Sequence, residues 1–233
     1  MLSILIPCLN EEENIRRFPE ALFPALKSLG AGFEVVLVDD GSADGTWPEM
    51  ERLAAARSDV RAERHPKNLG LGAALSTGFA ACRGEWIAVL DADLTFAPKD
   101  IAKLLARQKE TGADMVSGSP FLCPAAPGSW RRRVPSRVIN AIYGALLDSR
   151  LTSYTPVFRL YRAQAVKTLK LQSRGFEINA EIAAAFVRAG LLVAEAPAAL
   201  AVRTCGRSKL SAGRELARHA RLMGRILAHA GIV

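Results

Sequence analysis

The chain reads as an α/β domain, a single Rossmann-like α/β/α sandwich around a mostly parallel sheet. Three observations predict this. Short apolar runs alternate with stretches of helical period through the first 120 residues, the pattern of parallel strands joined by crossover helices. Two of the runs end in carboxylates, Asp39-Asp40 and Asp91-Ala92-Asp93, at the strand ends where open α/β sheets place their ligands. Half of the 233 residues are hydrophobic, enough for a substantial core.

The elements follow in order. Leu2 to Pro7 is a strand, followed by an amphipathic helix from about Glu12 to Leu29. Phe33 to Val38 is a second strand, stopped by Asp39-Asp40-Gly41-Ser42, and Thr46 is the expected cap of the next helix. Val60 to Arg64 is a third strand, Ala73 to Cys82 a helix and Trp86 to Leu90 a fourth strand. Pro98 opens a helix to about Glu110, and Ala113 to Ser117 is a fifth strand. The second half is less regular. It reads as a loop over Pro120 to Gly128, a helix over Trp130 to Leu147 and a strand over Val157 to Tyr161. A helix from Phe176 to Ala189 follows, then strands over Leu191 to Glu195 and Leu200 to Thr204, and a last helix from Ser211 to about His229. The expected organisation is one domain over 1–233, with a nucleotide-binding half (1–120) and an acceptor half (121–233) that ends in a basic helix.

Composition narrows the function classes. The net charge is +8, and from Ala201 onward seven basic residues face one acid, Glu215. Such a bias suits an anionic partner. Arg214, Arg218, Arg221 and Arg225 recur at helical spacing and share one face. Near an anionic leaflet each would add roughly 1 kcal/mol of attraction, so a peripheral membrane contact is one reading; a solvated face is the other. Aromatics make up 6% of the chain and none interleaves with this run, which argues against nucleic acid. Cys8, Cys82, Cys123 and Cys205 show no Cys-x-x-Cys spacing, which argues against zinc or a disulfide framework and fits a reducing compartment. The first residues read as a strand rather than a signal peptide. No apolar run approaches the roughly 20 residues of a membrane span. The expectation is a cytoplasmic protein, soluble or peripheral on the inner membrane face.

Asp91-Ala92-Asp93 is the most informative segment. Two hard oxygen donors at a strand end suit Mg²⁺ or Mn²⁺ bound with waters and phosphates. Without a cation the pair would repel itself. The Asp39–Thr46 segment leaves two readings open: a carboxylate that accepts from a ribose or base, or a turn with a helix cap. Gly70-Leu71-Gly72 lacks the spacing of a dinucleotide fingerprint, since position 75 is Leu75. It reads as a tight helix start, with backbone N–H groups available to a phosphate.

Taken together, Asp-Asp-Gly-Ser-x-Asp-Gly-Thr (39–46), Asn-x-Gly-x-Gly (68–72) and Asp-Ala-Asp-Leu (91–94) resemble the inverting family-2 glycosyltransferases of GT-A fold. Phe158-Arg159-Leu160-Tyr161-Arg162, then Gly175-Phe176-Glu177 with Glu181, then Gly206-x-Ser208-Lys209-Leu210, resemble the dolichol-phosphate (polyprenyl-phosphate) mannose synthase branch. The resemblance covers nearly the whole chain. It implies that Pro7, Leu9 and Glu11 border the nucleotide, that Asp39 and Asp40 hold base or ribose, and that Asp91 and Asp93 hold the metal and, through it, the donor diphosphate. It also implies a phosphate-binding role for Arg203, a site-closing role for Lys209, and an acceptor-phosphate role for Arg132 and Ser136. Three departures are visible: Thr95 where the family often has Gln, Pro120 where Gly-Ser-Arg is usual, and Thr155-Pro156-Val157 where Thr-Ser-Gly is usual.

The expected function is metal-dependent inverting transfer of a hexose from a nucleoside diphosphate sugar, of GDP-mannose or UDP-glucose type, to a polyprenyl phosphate. Asp93, Arg203 and Lys209 would be the catalytic residues. The first alternative keeps the donor and changes the acceptor to a glycan or small-molecule hydroxyl. That chemistry needs a base, for which Glu177, Glu181 and Asp148 are the candidates. The second alternative is a non-catalytic nucleotide-sugar-binding module.

Overall fold

The structure is a computed structural model that describes residues 1–124, 130–147, 149, 151–201 and 212–228; for 130–135 and 212 it describes the backbone alone. In chain order the elements are β1 (Leu2–Cys8), α1 (Glu12–Arg16), α2 (Phe18–Ala21), α3 (Phe23–Lys27), β2 (Phe33–Asp39), α4 (Thr46–Ala56) and β3 (Val60–Arg64). Then come α5 (Leu71–Ala81), β4 (Trp86–Val89), α6 (Ile101–Thr111), β5 (Met115–Ser119) and α7 (Trp130–Leu147). The last are β6 (Arg159–Arg162), α8 (Ala163–Lys167), α9 (Ile178–Arg188), β7 (Val193–Pro197) and α10 (Ala212–Leu227).

One seven-stranded sheet runs in the order β3-β2-β1-β4-β6-β5-β7. Every pairing is parallel except those of β6, which lies antiparallel between β4 and β5. Strands from both halves of the chain share this sheet. Its residues alternate between two cores, as the two-residue period of a strand requires. Leu5, Val36, Val38 and Val89 pack with side chains of α5, α7, α9 and α10. Ile4, Ile6, Val35 and Leu37 pack on the other face, with α1–α4 and α6. Being buried on both faces is why these strands read as continuous apolar runs.

Several expectations are corrected. The single helix over 12–29 is three short ones, because Pro19 and Pro24 each lack a backbone N–H and begin a new helix in its first turn. Thr46 lies inside α4, not at its cap, which is Gly45. The strand expected over Val157 to Tyr161 is displaced to Arg159–Arg162. Its first residue, Arg159, is fully buried: Nε donates to Ser117 Oγ (3.2 Å) and Nη2 to the Tyr154 carbonyl (2.7 Å). In place of a strand over 200–204, Leu200 makes one bridge to Phe96, and 202–204 lie outside the described residues.

The α7–α10 contact carries a pH signature. His219 on α10 is 6% exposed, and its Nδ1 lies 2.9 Å from the Tyr143 hydroxyl of α7. Burial pulls its pKa below the ordinary value, against Glu177 and Glu215, which act the other way. The fold therefore favours the neutral ring, and the unfolded chain takes up the proton first as pH falls. Stability from this group is complete above about pH 6.5 and declines below it. The melting temperature should fall on acidification from about pH 7.5 to 5.5, and the fall should be smaller in His219→Gln. Equal falls in the two proteins would reject the assignment.

Candidate active site

Parallel register sets the site. Cys8 on β1 is level with Asp39 on β2, and Leu5 with Val89 on β4. The segments that leave these strands therefore emerge side by side on the sheet's carboxyl rim. The first two are laced together. Asn10 N donates to Ser42 Oγ (2.8 Å), Ala43 N donates to Asn10 Oδ1 (2.8 Å), and Glu11 N donates to Thr46 Oγ1 (2.7 Å). Thr46, expected to cap its own helix, ties this lacing to Asp44 Oδ1 at 2.5 Å. Burial pushes the Asp44 carboxyl up, but hydrogen bonds from Thr46 and the Glu12 backbone outweigh it and hold the carboxyl below its usual range.

Asp39 and Asp40 have different surroundings. Asp39 is fully buried, and its Oδ1 accepts from Ser42 N (3.0 Å). Its Oδ2 has Arg64 Nε at 3.3 Å and no hydrogen-bond partner among the described residues. Asp40 is occupied within the protein. Oδ1 accepts from Leu69 N (2.9 Å) and lies 2.7 Å from His65 Nδ1, while Oδ2 accepts from Gly70 N (2.8 Å). His65 Nε2 is in turn 2.9 Å from Thr77 Oγ1 on α5. Sequence reasoning missed His65, which carries no motif of its own.

After β4 the chain turns sharply. Leu94 N donates to the Asp91 carbonyl (3.0 Å), and Asp93 Oδ1 accepts from Thr95 N (3.0 Å). Leu94 sits at φ +52°, a left-handed conformation that costs a branched residue on the order of 1–3 kcal/mol. Strain of this kind is characteristic of functional turns. Asp91 and Asp93 open into a cavity of about 540 Å³, which Pro7, Leu9, Glu11 and Asp40 also line. Arg174, Phe176, Arg214 and Arg218 enter it from the second half. Asp39 and Ser136 are not in the lining. The side chain of Arg132, with Arg203, Lys209 and Asp148, lies outside the described residues.

The donor set suits a divalent cation. Asp91 and Asp93 both line the cavity, and no group of three or more metal-ligating side chains exists among the described residues. A cation held by Asp91 and Asp93 would complete its shell with phosphate oxygens and water, the habit of Mg²⁺.

The glycines at 70 and 72 have a tertiary cause. A Cβ on Gly72 would lie 1.9 Å from the Ser173 carbonyl oxygen, and one on Gly70 would lie 2.3 Å from that of Arg174. The segment before α9 thus rests directly on the start of α5. Gly70 N is spent on Asp40, and Gly72 N on the Arg174 carbonyl (3.1 Å). These two amides are therefore not available to a phosphate. Glu181 is 1% exposed and accepts from Ser173 N (2.7 Å) and Gln172 N (3.1 Å), with Arg225 Nη1 at 3.5 Å. It is an anchor for this segment and not a free base. Glu177 accepts from Gly175 N (3.2 Å), and its buried Oε2 has no hydrogen-bond partner among the described residues.

The profile of the family described as "Glycosyl transferase family 2" matches residues 3–170. The chain belongs to glycosyl transferase family 2. Among curated relatives, the dodecaprenyl-phosphate galacturonate synthase of Rhizobium johnstonii is 30% identical over 73% of this chain and 50% of its own length. The undecaprenyl-phosphate 4-deoxy-4-formamido-L-arabinose transferase of Pseudomonas fluorescens is 35% identical over 72% of this chain and 48% of its own length. The chain spans about half the length of the curated relatives it matches. Among solved structures, the glucosyl-3-phosphoglycerate synthase of Mycobacterium tuberculosis, in complex with Mn²⁺, UDP and glucosyl-3-phosphoglycerate, superposes with a TM-score of 0.67 at 21% identity. That match covers 97% of this chain and 78% of the other. The fold is GT-A.

In this family 2 domain the arginine face of α10 is not turned to solvent as a whole, which revises the expected surface. Arg214 and Arg218 line the cavity. Arg225 Nη2 donates to Ser173 Oγ (2.7 Å) and Nη1 to Gln172 Oε1 (2.8 Å). The helix exposes Arg221 together with Leu216 (60%) and Leu227 (63%). No helix among the described residues is long and apolar enough to cross a membrane. Sequence reasoning passed over Arg174, although it directly precedes the Gly175-Phe176-Glu177 motif.

Gly72→Ala should destabilise the domain by about 1–3 kcal/mol in chemical denaturation, because its Cβ would meet backbone rather than a movable side chain. It should also weaken nucleotide binding by shifting Gly70 and Leu71, which line the cavity. A stable Gly72→Ala protein with unaltered nucleotide affinity would show that the close packing does not shape the cavity.

Proposed function

We propose that the chain is a metal-dependent, inverting glycosyltransferase that moves a sugar from a nucleoside diphosphate donor to a polyprenyl phosphate. The observation that carries the reading is the convergence of Asp91 and Asp93 with Pro7, Leu9 and Glu11 on one cavity at the sheet's carboxyl rim. The relatives named as polyprenyl-phosphate sugar transferases support the acceptor class. The Mn²⁺ and Mg²⁺ complexes of the mycobacterial synthase with UDP are consistent with a divalent cation. A hexose on GDP or UDP is the donor form we favour.

Asp91 and Asp93 would hold the cation, which when bound neutralises charge growing on the leaving diphosphate. Asp39 is fully buried beside Arg64 and outside the cavity lining, and its assignment to base or ribose rests on the sequence alone. Asp40 acts indirectly, by fixing residues 69–70 at the cavity wall. Arg203 and Lys209 are assigned to donor phosphates and site closure on the sequence alone, and Arg132 and Ser136 to the acceptor on the same basis. An ionised phosphate acceptor needs no strong base. The burial of Glu181 among its donors therefore weighs against a hydroxyl acceptor that would use it. Contact with an anionic leaflet we place on the outward side of α10, through Leu216 and Leu227.

Transfer of radiolabel from a panel of GDP- and UDP-sugars into polyprenyl phosphate, with Mn²⁺ or Mg²⁺ in detergent, tests the reading. Label in the organic phase is the expected result; donor hydrolysis without lipid product would move the assignment to a hydroxyl acceptor. Asp93→Asn should lower transfer by roughly a hundredfold or more while the protein melts as the wild type does. Activity within about twofold of wild type would remove the metal assignment.

A further inference from the structure

Two guanidinium groups line the cavity without a side-chain partner among the described residues. Arg174 lies in the segment that leads to α9, and Arg214 in the first turn of α10; both line the cavity, as does Arg218 one turn further on. Arg218 is partly neutralised, because Nη1 donates to Glu215 Oε1 at 2.7 Å. Neither Arg174 nor Arg214 makes an ion pair or side-chain hydrogen bond among the described residues. Nor is the Arg174 position loose. Ser173 N is held by Glu181 (2.7 Å), Ser173 Oγ by Arg225 (2.7 Å), and the Arg174 carbonyl by Gly72 N (3.1 Å). Phe176, 40% exposed, lines the same cavity two residues on.

The cavity thus has an acidic pole at Asp91 and Asp93 and a basic pole built by other elements. In inverting transfer the incoming group attacks the face of the anomeric carbon opposite the leaving diphosphate. An acceptor that carries a phosphate brings negative charge toward a diphosphate that already bears it. Like charges within a few ångströms repel strongly in a partly desolvated site, so a second cationic pole is required on the acceptor side. We propose that Arg174, Arg214 and Arg218 form an anion subsite for a phosphomonoester on the acceptor, and that Phe176 takes the first apolar carbons attached to it. The proposal rests on the glycosyl-transfer reading above. With a polyprenyl phosphate, a phosphate oxygen forms the bond to the anomeric carbon. The bond from that carbon to the diphosphate oxygen breaks, and the nucleoside diphosphate leaves with the electron pair. The ionised acceptor has no proton to lose. With a soluble phosphate ester the same arginines would bind the ester's phosphate.

Calorimetric titration of the whole chain with a short soluble prenyl phosphate and with glycerol 3-phosphate, without donor, tests this independently of turnover. Arg174→Gln and Arg214→Gln should each weaken phosphate binding roughly tenfold or more, with partial recovery in Arg214→Lys. Affinity for nucleoside diphosphate with Mn²⁺ should stay within about twofold of wild type. Tighter binding of the prenyl probe that Phe176→Ala abolishes would identify the lipid phosphate as the source. Equal binding of the two probes would identify the soluble ester; both outcomes support the subsite. Loss of nucleotide affinity with phosphate binding unchanged would assign the arginines to the donor and overturn the proposal, as would wild-type protein that binds neither probe. Arginine-dependent phosphate binding in a protein that transfers no sugar would remove the glycosyl-transfer reading and leave the subsite standing. Melting curves, with Arg214→Lys as the charge-preserving control, separate lost binding from lost fold.

Discussion

The buried carboxylate of Glu181 holds the second-half segment that packs on the first half. It accepts backbone N–H groups from Gln172 and Ser173 and faces Arg225 of α10, so one side chain of α9 fixes the segment before it and the last described helix against it. A buried carboxylate with those donors is well satisfied; stripped of them it would be costly. The anchored segment in turn rests on Gly70 and Gly72, where α5 starts and where Asp40 holds the backbone from the other side. Nucleotide-half loops and second-half arginines therefore meet at one cavity through this contact as well as through the shared sheet.

The site depends on a separation of charge. Carboxylates after β4 and arginines on the α9 approach and α10 line the same space. Asp40 and Glu215 are engaged by protein groups, while Asp91 and Asp93 supply the carboxylates assigned to a cation and Arg174 and Arg214 the guanidinium groups assigned to an anion. A nucleoside diphosphate sugar with an ionised acceptor is a ligand pair that needs both poles.

Much of this was legible in the sequence, for a physical reason. β1, β2 and β4 are buried on both faces and so are written as apolar runs, and the carboxylates that follow β2 and β4 are at the rim because the strands are parallel. What escaped depends on partners distant in sequence. Arg159 looks like a surface residue until Ser117 and the Tyr154 carbonyl surround it, and the antiparallel insertion of β6 leaves no local trace. Gly72 reads as a helix start, yet its cause is a carbonyl about a hundred residues later. The arginine face of α10 was identified correctly as a face; its direction was not, because periodicity says which residues share a side and not what that side meets. The prolines at 19 and 24 were visible signals that the long apolar period had overridden.

The central claim is that the acidic rim at Asp91 and Asp93 binds a nucleoside diphosphate through a divalent cation. Calorimetric titration of UDP and GDP into the wild-type protein, with Mn²⁺ and then with a chelator in its place, tests it most directly. The account predicts that one of the two nucleotides binds with Mn²⁺ at least about tenfold more tightly than without it. Equal affinity with and without the cation, or no binding of either nucleotide, would contradict it.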